Sequence, residues 1–299
     1  KFSEGIANRM EQFVAAESKD NGKPIALARQ VDIPRAVSNF HFFATAILHF
    51  SSESHYMEGV GINYTTRKPI GLVGCISPWN LPLYLFSWKI APALAAGNCV
   101  LAKPSEITPY TAFLLGKVAQ EAGLPDGVLN IIHGTGPKAG DAIVRHPKIK
   151  AISFTGGTST GAHIASVAAP MFKKLSLELG GKNPTLIFDD CDFDDMMKTV
   201  LRSSFSNQGQ ICLCGSRLFI QRGIYERFKT VFVEKVAKIK VANPEHPEAI
   251  MGAVVSEPHM EKVLSYIRLA EEEGGTILTG GHRVMLEAPY ADGYYLQPT

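Results

Sequence analysis

Apolar residues at the start of the chain recur at helical spacing, with Phe2, Ile6, Met10, Phe13 and Val14 on one face. The pattern predicts an amphipathic helix over 3–20, closed by Asp20-Asn21-Gly22-Lys23-Pro24. A second helix is expected over 32–49, with Pro34 in its first turn, where proline is tolerated. Residues 61–68 alternate like an exposed hairpin arm. From Ile70 onward, short apolar runs alternate with helical stretches. Strands are predicted at 70–76, 99–103, 128–132, 150–154 and 174–178, separated by helices ending near 98 and spanning 108–121, 137–145 and the stretch up to 168. A further strand–helix–strand pattern follows at 184–188, 192–206 and 216–221, then helices at 224–240 and 256–274. Such alternation argues an α/β fold with a doubly wound parallel sheet. Gly180-Gly181 is a natural hinge, which sets a boundary between a domain over 1–180 and a second, incomplete α/β domain over 181–299.

Bulk composition narrows the function. The 299 residues, 45% hydrophobic, suffice for a sizeable core and about two domains. Thirty basic and 28 acidic residues are interspersed and leave a net charge of +2, so neither nucleic acid nor an anionic membrane is an implied partner. No apolar run reaches membrane-spanning length, and Lys1-Phe2-Ser3-Glu4 lacks the layout of a signal peptide. Five cysteines, odd in number and sparse, suit free thiols in a reducing, cytoplasmic compartment. Cys212-x-Cys214 is too tight for the usual zinc spacing and has no histidine pair beside it, so no metal is expected. Both ends read as cuts: helical spacing starts at the first residues, and the chain stops in the extended run 294–299 with nothing after it to pair with.

Right-handed crossovers place the loops after the strands on one edge of the sheet, where such sheets bind ligands. Those loops hold the unusual residues: Ser77-Pro78-Trp79-Asn80, Lys103-Pro104-Ser105-Glu106, the glycine-rich 134–140 and Thr155-Gly156-Gly157-Thr158. Glycine-rich turns opening onto helices can hold a pyrophosphate on free backbone N–H groups. The turn at 134–140 matches a dinucleotide fingerprint with alanine in the third slot, but the acid expected about twenty residues on is missing. Lys103 and Glu106, three apart at a strand end, can supply the sugar contacts instead, and a carboxylate there favours NAD over NADP.

Cys212 lies in the short segment Asn207-Gln208-Gly209-Gln210-Ile211-Cys212-Leu213-Cys214-Gly215, between a predicted helix and a predicted strand. A thiol presented from a connection can meet a small molecule. Glu178, between Leu177 and Leu179, reads as a partly desolvated carboxylate with a raised pKa. The two form a candidate nucleophile–base pair. Taken singly, each has a plainer reading, as a packing cysteine and a strand glutamate; so does Cys214, for which packing is preferred, and Arg35, which reads as a solvated surface residue.

Together, Ser77-Pro78-Trp79-Asn80, Lys103-Pro104-Ser105-Glu106, Phe154-Thr155-Gly156, Leu177-Glu178-Leu179-Gly180-Gly181-Lys182 and Asn207-Gln208-Gly209-Gln210-Ile211-Cys212 resemble the aldehyde dehydrogenase superfamily, in order and spacing through essentially the whole chain. The resemblance implies an NAD-binding domain, a thiol-bearing catalytic domain and an oligomerising extension, part of it at 61–68, with a homo-oligomer (dimer or tetramer) as the assembled form. It implies Cys212 as nucleophile, Glu178 as general base, and Asn80 as oxyanion donor beside the Cys212 backbone N–H. The cofactor, NAD, would meet Ile76, Ser77, Pro78, Trp79, Lys103, Ser105, Glu106, Gly136, Gly140, Phe154, Thr155, Gly156, Gly157, Thr160 and Leu179. Many relatives carry a serine where this chain has Gly157, so Thr158 or Ser159 would have to replace its hydroxyl. Glu17-Ser18-Lys19-Asp20-Asn21-Gly22-Lys23, Asp32-Ile33-Pro34-Arg35, Asn80-Leu81-Pro82-Leu83-Tyr84 and Ile211-Cys212-Leu213-Cys214 are most similar to the subgroup acting on 2-aminomuconic semialdehyde, in which Arg35 would hold the substrate carboxylate. The family pattern continues past Thr299 with a Glu-x-Phe-Gly-Pro segment, so a silent, truncated relative serving as a structural or binding protein is the alternative. An acylating dehydrogenase is disfavoured by Glu178, and a thiol peptidase by the lack of a histidine motif.

Overall fold

A computed structural model describes residues 1–299, which form two units. The first comprises Lys1–Phe13, Asp32–Pro78 and Pro82–Glu178; the second comprises Val14–Val31, Trp79–Leu81 and Leu179–Thr299. The second unit therefore draws two short pieces, one of them carrying Asn80, from within the span 1–180. No helix is long and apolar enough to cross a membrane.

The first unit is built on a five-stranded sheet of β3 (Leu72–Ile76), β4 (Cys99–Lys103), β5 (Leu129–Ile131), β6 (Ile149–Gly156) and β7 (Lys174–Leu179), in the order β5-β4-β3-β6-β7. β3 pairs parallel with β4 and with β6, and β4 pairs parallel with β5. The strands that follow β3 go first to one side of it and then to the other, which is the doubly wound order expected from the strand–helix alternation. Central strands are apolar because both faces are covered: Val73, Cys75, Val100, Ala102, Ile152 and Phe154 are buried, with Phe86, Ile90, Leu114, Leu115 and Val118 of the helices Pro82–Ala95 and Tyr110–Glu121. Edge strand β7 alternates exposed and half-buried positions instead.

The amino-terminal helix differs from the single one expected. It breaks into Phe2–Ala7 and Met10–Asn21, with the Arg9 N–H bonding the Ile6 carbonyl three residues back. The second expected helix is Ile33–Ala46, continued by one 3-10 turn, Ile47–His49. The arm is the antiparallel hairpin β1 (Ser54–Met57) and β2 (Gly61–Tyr64), exposed at every position.

The second unit holds a parallel pair, β8 (Asn183–Ile187) and β9 (Gly215–Ile220), linked by the helix Phe193–Phe205. Asp192 caps that helix by accepting from the Asp195 N–H, and Ile187, Met197, Val200 and Phe228 close the core beneath it. The terminal extended run pairs with a segment that precedes it: β11 (Tyr295–Leu296) lies antiparallel to β10 (Arg283–Val284). Val254, Met260 and Leu296 pack there around the helix Glu257–Glu272.

Candidate functional site: a nucleotide edge and a thiol loop

In the first unit the predicted ligand residues converge at the carboxyl ends of β3, β4 and β6. Ser77, just past β3, donates its backbone N–H to the Lys103 carbonyl at 3.0 Å. Lys103 ends β4 buried, with Nζ donating to the Pro104 carbonyl and to Glu106 Oε2, both at 2.9 Å. Glu106 Oε1 accepts from the Gly136 N–H at 3.1 Å. Partial burial opposes the charge on Glu106, but the hydrogen bonds from Lys103, from its own backbone and from Gly136 outweigh it and hold the carboxyl below its ordinary range. Gly140 lies under the Lys103 stem: a Cβ there would sit 3.8 Å from Lys103 Cδ. Ser105 Oγ accepts from the Ile107 N–H at 3.2 Å.

At the end of β6, the Phe154 ring folds over Gly156 so closely that a Cβ on that glycine would lie within 2.4 Å of the ring. Gly157 then enters the helix Thr158–Ala168 without a side-chain cap, so the first-turn N–H groups stay available to an anion, and Thr160 is exposed on that turn.

Two findings in this unit depart from the sequence reading. Glu178 is exposed, because β7 sends Leu177 and Leu179 to the opposite face; the desolvation expected from its leucine neighbours is absent. Its neighbour is instead Lys89, which sequence reasoning missed. Lys89 is buried in the helix Pro82–Ala95 and donates from Nζ to Thr155 Oγ1 at 2.6 Å. Burial pulls its pKa down to about 8, against opposing pulls from Cys75 and Glu178. Both Lys89 and Glu178 line a cleft of about 410 Å³ with Trp88, Ser153 and Ser176. The only signal available beforehand was a lone lysine in an otherwise apolar helix. Arg35, exposed on the helix Ile33–Ala46, lays its guanidinium 5.5 Å from the centre of the Tyr84 ring.

The thiol loop belongs to the second unit. After the helix Phe193–Phe205 the chain reverses through three left-handed residues, Asn207 (φ 52°), Gln208 (φ 57°) and Gly209 (φ 70°). Two non-glycine residues in that region are strained unless their surroundings hold them. Here Gln208 Nε2 donates to the Ala253 carbonyl at 2.6 Å and Asn207 Nδ2 to the Asn80 carbonyl at 2.9 Å. The loop then turns at Cys212, which is half-buried. Asn183 Nδ2 fixes that turn by donating to the carbonyls of Cys212 (2.6 Å) and Cys214 (3.1 Å). Asn80 Nδ2 donates to the Gln210 carbonyl at 2.8 Å, which sets the orientation of its amide. An amide NH₂ carries two donors, so one hydrogen remains for a ligand. Trp79 and Leu179, read as cofactor contacts, also fall in this unit, with the Trp79 ring against His259 at 4.8 Å.

Two of the other cysteines are buried thiols held in the protonated form. Burial pushes the Cys75 thiol up to about 12 despite Lys89, and burial also pushes Cys214 up. Cys99 is exposed at the start of β4 and Cys191 half-buried beside the core of the second unit.

The sequence profile of the aldehyde dehydrogenase family matches residues 1–299. The chain belongs to that family. It is 52% identical over 297 residues to the human (Homo sapiens) 2-aminomuconic semialdehyde dehydrogenase, covering 98% of this chain and 61% of the relative. It is 45% identical to the 2-hydroxymuconic semialdehyde dehydrogenase of Pseudomonas sp. (strain CF600), covering all of this chain and 63% of that protein. The NAD+ complex of the aldehyde dehydrogenase from Bacillus cereus superposes with a TM-score of 0.96 at 37% identity, over 99% of this chain and 60% of the other. The chain thus spans about three-fifths of the length of these relatives, and the aldehyde dehydrogenase fold is present over that span.

The dinucleotide that this fold binds in the Bacillus cereus structure fits the residues of the first unit. Ser77 Oγ is a buried hydroxyl with no partner, the Lys103–Glu106 pair offers a cation and a held anion, and Gly157 leaves an uncapped helix start. These are the donors and acceptors that ribose hydroxyls and a pyrophosphate require.

Proposed function

We propose that this chain carries the nucleotide-binding and thiol-bearing parts of an NAD-dependent enzyme that oxidises a carboxylated semialdehyde, of the 2-aminomuconic type, to the acid. The observation that carries the reading is the thiol loop: a half-buried Cys212 in a turn whose carbonyls are pinned by Asn183, beside an Asn80 amide with one hydrogen already committed.

In this reading the Cys212 thiolate adds to the aldehyde carbon, and the carbonyl oxygen takes up the displaced electron pair. The free Asn80 N–H and the Cys212 backbone N–H receive that oxyanion. Each such donor is worth about 2.7–4 kcal/mol of barrier. A bound nicotinamide would supply the acceptor for the hydride lost from the same carbon. Glu178 takes a proton from the water that hydrolyses the acyl group left on Cys212, returning the thiol and releasing the acid. Its exposure gives it access to solvent, and the buried Lys89, whose pKa burial lowers to about 8, stands beside it. Glu106 and Lys103 hold the adenosine ribose, and the charge on Glu106 sets NAD above NADP by repelling a 2′-phosphate.

Arg35 binds the substrate carboxylate in a bidentate manner, its plane carried on Tyr84. The semialdehyde dehydrogenases named above support this substrate class. The exposed β1–β2 hairpin, with Tyr56, Ile62 and Tyr64 open to solvent, supports assembly into a homo-oligomer, and the unpaired cysteines support a cytoplasmic setting.

The test is NADH production by the purified chain, with NAD and aldehydes ranging from acetaldehyde and betaine aldehyde to 2-amino- and 2-hydroxymuconic semialdehyde. Turnover strongest on the carboxylated aldehydes, with a raised KM for them alone in Arg35→Ala, is the expected result. An unchanged KM in that variant removes the arginine from substrate binding. A folded chain that makes no NADH, even when supplied with the remaining two-fifths of a relative, would sink the enzyme reading.

A further inference from the structure

Three separate segments of the second unit meet at one peptide group, the carbonyl of Asn80. Lys23 Nζ donates to it at 3.3 Å, Asn21 Nδ2 at 3.3 Å and Asn207 Nδ2 at 2.9 Å. Asn21 also donates to the preceding carbonyl, that of Trp79, at 2.9 Å. Around this point runs a closed ring of amide side chains. Asn80 Nδ2 donates to the Gln210 carbonyl, Gln210 Nε2 to the Asn207 carbonyl at 3.3 Å, and Asn207 Nδ2 back to the Asn80 carbonyl. Gln210 is held in turn by the Val255 N–H, which donates to its Oε1 at 3.1 Å.

Lys23 is the costly member of this arrangement. It is fully buried, and so is Glu17, whose carboxylate lies 3.8 Å from Nζ. Placing a charge pair inside a protein is expensive, and hydrophobic replacements of similar volume are often as stable. Stability alone is therefore a weak reason for an ammonium at this place. The segment carrying it is seated by backbone packing. Gly22 is left-handed (φ 83°), and a Cβ on it would come within 2.6 Å of the Ala253 carbonyl oxygen. A Cβ on Gly252 would come within 2.0 Å of the Gly22 oxygen. Lys23 thus arrives at the Asn80 carbonyl from a segment that has little freedom to shift.

We propose that Lys23, held by Glu17, is a positioning residue for the oxyanion donor. It fixes the Asn80 peptide so that the side-chain amide keeps one hydrogen on Gln210 and points the other at the reacting oxygen. The role is indirect, since Lys23 bonds to the backbone of Asn80, and it rests on the reading of Asn80 as that donor. An oxyanion hole works because its donors are in place before charge develops, so a loosened Asn80 peptide costs rate without costing cofactor affinity.

The experiment uses the whole 299-residue chain with two readouts. In Lys23→Met, kcat is expected to fall by about 10- to 100-fold, short of the roughly 10²–10³-fold cost of removing such a donor, with KM for NAD unchanged. Hydrogen exchange of the peptide spanning Trp79–Leu81 should quicken in the same variant, which reports the anchor whether or not the chain turns over. In an Asn80→Ala background, Lys23→Met should cost less than about 2-fold further, because a residue acting through another shows no separate effect once that other is gone. An equal loss in both backgrounds, or unchanged exchange at 79–81, overturns the proposal. Should Lys23→Met melt early from the carboxylate it strands, Glu17→Gln with Lys23→Met removes both charges and answers the same questions. Asn21→Ala, which deletes a weaker donor to the same carbonyl, should move kcat and exchange in the same direction by a smaller factor, and no change in either also counts against it. Absence of NADH from the unmutated chain counts against the enzyme reading alone, because the exchange result stands without it.

Discussion

The two units place their polar residues by different means. In the first, the candidate nucleotide residues are delivered by strand ends: Ser77, Lys103 and Thr155 lie where β3, β4 and β6 finish, and the parallel register of β3 with β4 and β6 brings Ile76, Lys103 and Phe154 level. Their polar contacts are short-range in sequence or join the loops that follow neighbouring strands. In the second, the thiol loop is held by side-chain amides, Asn80 and Asn183 from remote segments and Asn207 and Gln210 from the loop itself, across a stretch of left-handed backbone. A regular scaffold can place ligand-binding groups by register. A strained loop carrying a nucleophile needs a dedicated hydrogen-bond network to keep one geometry.

That contrast can be broken or sharpened by variants that fall in one unit only. Cys212→Ala has the largest expected effect, a loss of activity on the order of 10⁴-fold or more with dinucleotide binding intact, read from NADH formation beside NADH fluorescence titration. Weakened binding in that variant would mean that the units do not divide the work as described. Asn80→Ala comes next, lowering kcat by roughly 10²–10³-fold at unchanged KM for NAD in steady-state assays.

Lys89→Met probes the first unit through pH. The folded chain releases the Lys89 proton near pH 8, whereas the unfolded chain keeps it to about 10.5. Between those values the unfolded state binds more protons, so Lys89 makes stability rise with pH through that window, by up to about 3 kcal/mol. The buried Cys75 thiol, raised to about 12, works in the opposite direction from about pH 9 upward. Denaturant unfolding at pH 7.5 to 10.5, an experimental range chosen around those two values, should therefore lose the rising contribution in Lys89→Met. Identical pH dependence in both proteins would contradict the placement of that lysine.

The smallest expected effect is that of Glu106→Gln. It should weaken NAD binding by about 10-fold, the loss of about 1.4 kcal/mol from one charged hydrogen bond, while narrowing the preference over NADP. Calorimetric titration with both dinucleotides measures it, and equal affinities for NAD in variant and parent would remove Glu106 from the ribose site.

The same contrast explains what was legible in the sequence. Short apolar runs between helical stretches are enough to find β3, β4 and β6 and to place the loops after them, because a parallel sheet imposes its own pattern. Cys212 stood out through its glycine-bounded connection. Lys23 and Asn21 did not, because their partner is a main-chain carbonyl nearly sixty residues away, which leaves no trace in periodicity. Residues 14–31 read as part of one amino-terminal domain, yet they belong to the unit that holds the thiol. Leucine neighbours suggest a desolvated Glu178, but in a strand adjacent residues face opposite ways, so those leucines say nothing about its own side. Lys89 was hidden for the converse reason: a helix returns residues to one face only every three or four positions, and its partners Thr155 and Glu178 come from β6 and β7.

The central claim is that Cys212 is the thiol through which an aldehyde is oxidised. Rapid quench of the chain with NAD and a muconic semialdehyde, followed by peptide mass spectrometry, tests it most directly. An acyl adduct two hydrogens lighter than the added aldehyde, on the peptide carrying Cys212 and dependent on NAD, is the predicted result. NADH formed with no such adduct on that peptide, or with the adduct on Cys75, Cys99, Cys191 or Cys214, would contradict it.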